Sequence, residues 1–253
     1  MKKIYLSPSD QVKNAYAAGN TTEAIQCRKI ALRLAEALER CGFAALANVS
    51  DTMAERVNES NEWGADLHVC LHSNAFNEEV SGTRIFSYDL EGEGYEAAKA
   101  IFARLAPITP GTSENIKPYP ALYEVRNSNA PCVYIEIDFH DVDEVALWII
   151  KNTQEIAEAI CHGICDHYGV EYVVSKEVEA VAESKRYQTI EDVPEWAKPE
   201  TQELIDLGAL RGNEKGLDVT EDMLRTMIIN LRATKALLQE LIDLGALRGN
   251  EMA

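Results

Sequence analysis

His72 closes an apolar run, Asp66-Leu67-His68-Val69-Cys70-Leu71, that reads as a strand, and Ser73-Asn74-Ala75 carries the chain on into a polar loop. A titratable imidazole at the C-terminal end of a strand is where open α/β sheets place their sites. A hydrogen-bonded surface histidine is the plainer alternative. His68 lies on the same face four residues earlier. At ~3.3 Å per residue the two Cα atoms stand ~13 Å apart, too far to share one metal comfortably. His68 therefore reads as a supporting or structural residue. Glu136 sits in the otherwise apolar stretch Cys132-Val133-Tyr134-Ile135-Glu136-Ile137. A buried carboxylate is expensive unless it is paired or functional; Arg126 is the nearest candidate for a purely structural partner. His140 follows in Asp138-Phe139-His140-Asp141, where the strand must bend towards the next helix, and Asp141 could cap that helix. Glu23 opens the first long helix, a place where any acidic residue complements the helix dipole.

These residues need elements to position them. Residues 3–6 form a short apolar strand ending at Ser7-Pro8-Ser9. From Thr22 to Cys41 the apolar positions Ile25, Ile30, Leu34 and Leu38 recur at helical spacing, behind Thr21 and Thr22 as caps and ahead of Gly42 as a terminator. The pattern then predicts a strand over 43–47, a helix over 52–63, the His72 strand, a strand over 82–88, a helix over 95–105 and a short strand over 122–125. A nearly all-apolar strand over 132–137, as expected of one buried on both faces, and a long helix from Asp141 to about Tyr168 complete the order. Alternating strands and helices predict an α/β fold, a mostly parallel twisted sheet flanked by helices, over residues 1–169.

Composition changes after Gly169. Residues 170–189 read as a charged linker, and 190–253 as a small all-helical unit with Pro194 and Pro199 at its start. Gln202-Glu203-Leu204-Ile205-Asp206-Leu207-Gly208-Ala209-Leu210-Arg211-Gly212-Asn213-Glu214 recurs letter for letter at 239–251, a period of 37 residues. That period suits a helix-based repeat, and the second copy stops at once, as in a tandem duplication or a truncated array.

The 253 residues carry 24 basic and 42 acidic side chains, a net charge of −18. Such a charge balance does not suit binding to duplex nucleic acid, because affinity there comes from Lys and Arg neutralising phosphates. No apolar run approaches the ~18 residues that span a membrane, and the first residues lack the apolar stretch of a secretory signal. The six cysteines (Cys27, Cys41, Cys70, Cys132, Cys161, Cys165) show no CxxC pair and read as reduced, buried thiols.

Taken in order, these pieces resemble the zinc-dependent N-acetylmuramoyl-L-alanine amidases, the amidase-3 type of bacterial autolysins and phage endolysins. The resemblance runs through Ile4–Ser9, Gly19-Asn20-Thr21-Thr22-Glu23, Ala65–Ala75, Gly82-Thr83, Leu122–Arg126 and Pro131–Glu136, and ends at Ala159–Gly163. It implies that Glu23 and His72 are zinc ligands and that Glu136 is the catalytic glutamate. The family's first strand usually ends in Asp-Pro-Gly-His-Gly, whose His is the remaining ligand; here the run is Ser7-Pro8-Ser9-Asp10-Gln11, with Asp10 at the His position. Either His140 supplies the third ligand, the reading favoured because it restores the family's ligand set, or Asp10 does, or no metal is bound. Zinc accepts imidazole and carboxylate alike.

The activity so implied is hydrolysis of the amide joining N-acetylmuramic acid to L-alanine in peptidoglycan, with Glu136 as base. A metal-free wall-binding protein on the same fold is the alternative from a different class, and a zinc peptidase cutting within the stem peptide is a third. The run Glu191-Asp192-Val193-Pro194, with Trp196-Ala197, Ile205, Leu207-Gly208, Gly212 and Thr220-Glu221, loosely resembles an S-layer-homology repeat. It implies a wall-polymer anchor, against self-association of the helical unit. A wall substrate without a signal segment implies synthesis in the cytoplasm and action on the wall after release, as in phage-type lysis.

Overall fold

The computed structural model describes residues 1–48, 52–175, 186–214 and 216–243. The chain divides into two compact units, Met1–Ser175 and Lys176–Ala253.

Six strands form the sheet of the first unit: β1 (Lys3–Pro8), β2 (Ala44–Ala47), β3 (Leu67–Asn74), β4 (Arg84–Ser87), β5 (Asn115–Pro118) and β6 (Cys132–Phe139). Their order is β2-β1-β3-β6-β4-β5. Every pairing is parallel except β4 against β6. The helices are α1 (Glu23–Arg40), α2 (Met53–Trp63), α3 (Gly92–Leu105), α4 (Tyr123–Asn127), α5 (Asp143–Lys151) and α6 (Thr153–Tyr168).

Strand side chains alternate between faces, and the two faces of this sheet differ in chemistry. Ile4, Leu6, Val69, Leu71, Val133, Ile135 and Ile137 turn to one side, where they join Ile30, Leu34 and Leu38 of α1, Ile101 of α3 and Ile156, Ile160 and Ile164 of α6 in the main core. Each such burial contributes ~1.5–3 kcal/mol. Backbone contact tightens this layer: a Cβ on Gly163 of α6 would lie 2.5 Å from the Ile101 Cα.

Tyr5, Ser7, His68, Cys70, His72, Cys132, Tyr134 and Glu136 occupy the alternate positions and turn the other way. α2 and α4 supply their partners there. Glu59 accepts from the Tyr5 hydroxyl, Arg56 donates to Ser7, Ser60 meets His68 Nδ1, and Glu124 meets His68 Nε2. α2 itself is delimited by a Thr52/Glu55 capping box and by Gly64 at φ 69°.

Several expectations are corrected. Residues 122–125 are not a strand; Leu122 is the N-cap of α4, which turns Val125 into a cluster with Cys70, Cys132 and Tyr134. Four residues are too few for a periodicity of 2 to be told from 3.6. The helix expected from Asp141 to Tyr168 is two helices, broken at Asn152 (φ −110°, ψ 25°), whose side chain donates to the Trp148 carbonyl and so competes with the backbone ladder. Asp141 is not its cap: Val142 is, and Asp141 Oδ2 accepts from the backbone N–H groups of Phe76 and Glu78. Thr22 stands at the N-cap of α1 without a capping side-chain bond. β5, a polar edge strand, carries no pattern that the sequence reading found. All six cysteines are free and buried.

The second unit holds α7 (Lys198–Asp206) and α8 (Glu221–Asp243), and it is not purely helical. Two short antiparallel strands, β7 (Arg186–Tyr187) and β8 (Val219–Thr220), close it. Two residues per strand give no readable alternation. Tyr187, Val193, Ala197, Leu204, Leu210, Val219, Leu224 and Ile228 form its core. The first copy of the 13-residue repeat covers the second half of α7, from Gln202, and the turn after it. Residues 244–251 of the second copy lie outside the described residues.

Candidate active site

The parallel strands β1, β3 and β6 all end on the same edge of the sheet. There His72 of β3 stands directly opposite Glu136 of β6. Immediately afterwards the β3–β6 register shifts between His72 and Asn74, so β6 runs one residue longer and carries His140 to the sheet rim. The His140 N–H bonds the Asn74 carbonyl at 2.8 Å.

Glu23, 1% exposed, reaches the same edge from the first turn of α1. Its Oε1 accepts from His72 Nδ1 at 2.7 Å and from Gln11 Nε2 at 3.5 Å, and its Oε2 from Asn14 Nδ2 at 2.5 Å. The Tyr134 ring stacks on His72 with centroids 4.4 Å apart. His140 stacks on Tyr16 at 4.7 Å, and its Nδ1 meets the Ser73 hydroxyl at 2.9 Å, which in turn meets the Tyr16 hydroxyl at 2.8 Å. Asp10 turns elsewhere: its carboxylate lies 3.8 Å from the buried Arg56 guanidinium.

Electrostatics divide the carboxylates into two states. Burial pushes Glu23 up, but the His72 hydrogen bond and charge, with Ser9 and Asn14, outweigh it and hold the carboxyl below its usual range. Burial opposes the charged form of His72, yet the Glu23 bond and the charges of Glu136, Glu23 and Glu124 raise it overall. Glu136 has no such partner bond. Its desolvation, reinforced by Glu23 and opposed by His72 and Arg84, pushes it up to about 7. Burial, opposed by Glu23 and Asp141, lowers His140 overall and so favours its neutral form.

Three of the expected site residues, Glu23, His72 and Glu136, are thus brought together. His140 stands beside them on the Ser73–Tyr16 pair. Among the described residues, the groups whose His, Cys, Asp or Glu ligand atoms all lie within 4.8 Å of one another do not include Glu23, His72, His140 or Asp10. The donor set nevertheless suits a metal, because His72 Nε2, His140 Nε2 and Glu136 Oε2 are buried without a hydrogen-bond partner. An orphaned buried polar atom costs ~1–3 kcal/mol, a cost that ligation of a cation removes.

Sequence reading missed the residues that hold this edge in place. Asn14 and Gln11 come from an irregular loop, Tyr134 sits in an apolar cluster, and Arg84, opposite Glu136 in register, takes the place expected of Arg126, its charge opposing the rise of Glu136. Asp138 also went unnoticed; its carboxylate gathers the backbone N–H groups of Gly82, Phe139 and Gly111. An isolated carboxylate at the end of an apolar strand was the available signal.

A parallel-sheet domain with an imidazole, two carboxylates of opposite protonation tendency and unpartnered donors at its C-terminal edge defines a hydrolase-type α/β domain with a candidate metal centre. Residues 8–166 match the family model described as N-acetylmuramoyl-L-alanine amidase. The chain belongs to that family. It is 28% identical over 177 residues to an uncharacterized cell wall amidase of Bacillus anthracis, covering 66% of this chain and 32% of that protein. The chain therefore spans about a third of the length of that curated relative. Its fold is similar to the catalytic domain of CwlV, an N-acetylmuramoyl-L-alanine amidase from Bacillus (Paenibacillus) polymyxa var. colistinus, with a TM-score of 0.61 at 17% identity over 68% of this chain and 100% of that one. It is also similar to the N-acetylmuramoyl-L-alanine amidase AmiC2 of Nostoc punctiforme, at 0.58 and 21% over 66% and 97%.

Proposed function

We propose that this protein hydrolyses the amide between N-acetylmuramic acid and L-alanine in peptidoglycan, with zinc as cofactor. The observation that carries the reading is the placement of Glu136, a carboxyl poised near neutrality, opposite a His72–Glu23 pair in a chain of the amidase family. Glu23 and His72 would hold the metal, with His140 as third ligand through its unpartnered Nε2. When bound, zinc supplies Lewis-acid chemistry, polarising the amide carbonyl and acidifying water.

The chain's own groups do the rest. Asn14 and Gln11 fix the Glu23 carboxylate, as second-layer partners do around a metal ligand, and the Glu23 contact orients the His72 ring. Glu136 accepts the proton of the attacking water at its unpartnered oxygen. It then returns that proton to the departing alanine nitrogen, so the amine leaves neutral. Such acid–base groups typically contribute ~10²–10⁴-fold.

The experiment is digestion of purified peptidoglycan, with and without chelator, read by mass spectrometry. Stem peptides beginning at L-alanine, lost on chelation and restored by zinc, are the expected products. Peptides cut internally would make the protein a stem-peptide peptidase. A second reading, a metal-free wall binder, is favoured by one observation: Asp10 stands at the family's histidine position and faces Arg56. An intact wall at every zinc concentration would select it. We further propose that the 190–253 unit, with its resemblance to an S-layer-homology repeat, binds a wall polymer or self-associates, and that the enzyme serves wall lysis.

A further inference from the structure

Beneath the amidase centre, on the same polar face of the sheet, lies a second constellation that the proposed reaction does not use. His68 and Cys70 of β3 and Cys132 of β6 place one ligand atom each within 4.8 Å of one another, and all three are buried. The two sulfurs are 3.7 Å apart. Glu124 of α4, 0% exposed, flanks this group of three without belonging to it: its Oε1 lies 3.3 Å from His68 Nε2, and it is also against the Cys70 thiol. Its Oε2 is buried with no partner. We propose that His68, Cys70 and Cys132 form a second, structural metal site that takes a thiophilic divalent cation, zinc being the best fit, and that the adjacent Glu124 carboxylate swings in to complete the shell.

The chemistry supports this assignment at each position. Two thiolates, an imidazole and a carboxylate make a closed tetrahedral zinc shell, whereas catalytic sites keep one position open. Binding releases the two thiol protons to solvent, and the filled site carries one net negative charge. The Arg56 guanidinium is already buried beside it, bonded through its Nε to the Ser7 hydroxyl at 2.7 Å, and that hydroxyl bonds Glu124. The Ser60 hydroxyl, 2.9 Å from His68 Nδ1, is placed to accept that nitrogen's proton once Nε2 exchanges its Glu124 contact for a cation. Cys132, with Val125 and Pro131, also borders a cavity of about 380 Å³.

A cation there ties β3 to β6 across the register that sets His72 opposite Glu136, with Cys70 two residues before His72. The site is independent of the amidase reading; a wall binder on this fold would carry it equally.

The test is titration of the full chain, stripped of metal and reduced, with cobalt(II), followed by absorption. The expected result is a near-ultraviolet sulfur-to-cobalt charge-transfer band. It persists in Glu23→Gln and in Cys161→Ser, and it disappears when Cys70→Ser and Cys132→Ser are combined. No band in the wild-type chain overturns the proposal. So does a band that survives the Cys70/Cys132 change and vanishes in Cys161→Ser, which would move the metal to the separate Cys41, Cys161 and Cys165 group. A measurement on unmutated protein guards against loss of folding: zinc-edge X-ray absorption shows sulfur scatterers at ~2.3 Å if the site is filled, and a shell of nitrogen and oxygen alone rejects it. Neither readout depends on activity, so failure of the peptidoglycan digest and failure of this site are told apart.

Discussion

His72 and Glu136 are direct cross-strand partners on β3 and β6, and they differ in what holds them. His72 is tied to Glu23 at 2.7 Å, while one Glu136 oxygen is buried without a partner. Under the proposed function that difference suits His72 to holding a metal and Glu136 to carrying a proton, and the expected outcomes below test both roles.

Replacing Glu136→Gln keeps the shape and removes the proton acceptor. Turnover should fall by ~10²–10⁴-fold, while zinc content, read by mass spectrometry of the metal, stays at the wild-type level. Retained turnover would remove Glu136 from the mechanism.

The same carboxyl sets a pH dependence. Its pKa is raised from the ordinary 4.5 to about 7, so the base form accumulates as pH rises through that range. kcat/KM should climb to a plateau on an ascending limb near 7, displaced downward when a cation is bound beside it. Stability has the opposite sign. The folded state holds the Glu136 proton more tightly than the unfolded chain, so this residue's contribution is full below about 4.5 and is lost as pH rises to about 7. Thermal melts of Glu136→Gln should therefore match wild type at pH 4 and exceed it increasingly up to pH 7. A constant difference across that range would contradict the buried environment assigned to this carboxyl.

Asn14 donates to the Glu23 oxygen that faces away from His72. Asn14→Ala should weaken zinc affinity by ~10–100-fold, the usual effect of losing such a partner, with kcat unchanged at saturating metal. Isothermal titration with zinc, paired with kcat at saturation, checks the split between the two.

The third ligand is open to a direct comparison. His140→Ala should lower zinc affinity by at least ten-fold, and Asp10→Ala, which loses only the 3.8 Å approach to Arg56, should leave it near wild type. The reverse order would assign Asp10.

Gly163 answers to packing alone. A methyl group there would overlap the Ile101 Cα at 2.5 Å, so α3 and α6 must part. Gly163→Ala should cost ~1–3 kcal/mol of stability in a chemical or thermal melt, as overpacking does. An unchanged melt would show that the two helices can separate freely.

Much of the catalytic unit was legible from residue order. His72 at the end of an apolar run and Glu136 inside another are local anomalies, and a polar group among apolar neighbours is visible without a fold. The parallel sheet followed from the alternation of strand-like and helix-like periods, because each period sets which side chains share a face. The short elements were not legible: residues 122–125 are too few to separate a helical turn from a strand, and β7 and β8 shorter still. The break at Asn152 was hidden for a different reason, since apolar spacing continues across it while one side chain takes a backbone carbonyl.

Composition and order by themselves determined the acidic character, the α/β class and the residues with chemical capacity. Only the tertiary structure decided their partners. Asn14 and Glu23 are joined by the loop before α1, Arg84 reaches Glu136 through antiparallel register, and His68, Cys70, Cys132 and Glu124 gather from two strands and a helix. The last two sets link residues about fifty to sixty positions apart, and strand register, which no local pattern encodes, sets which of them meet.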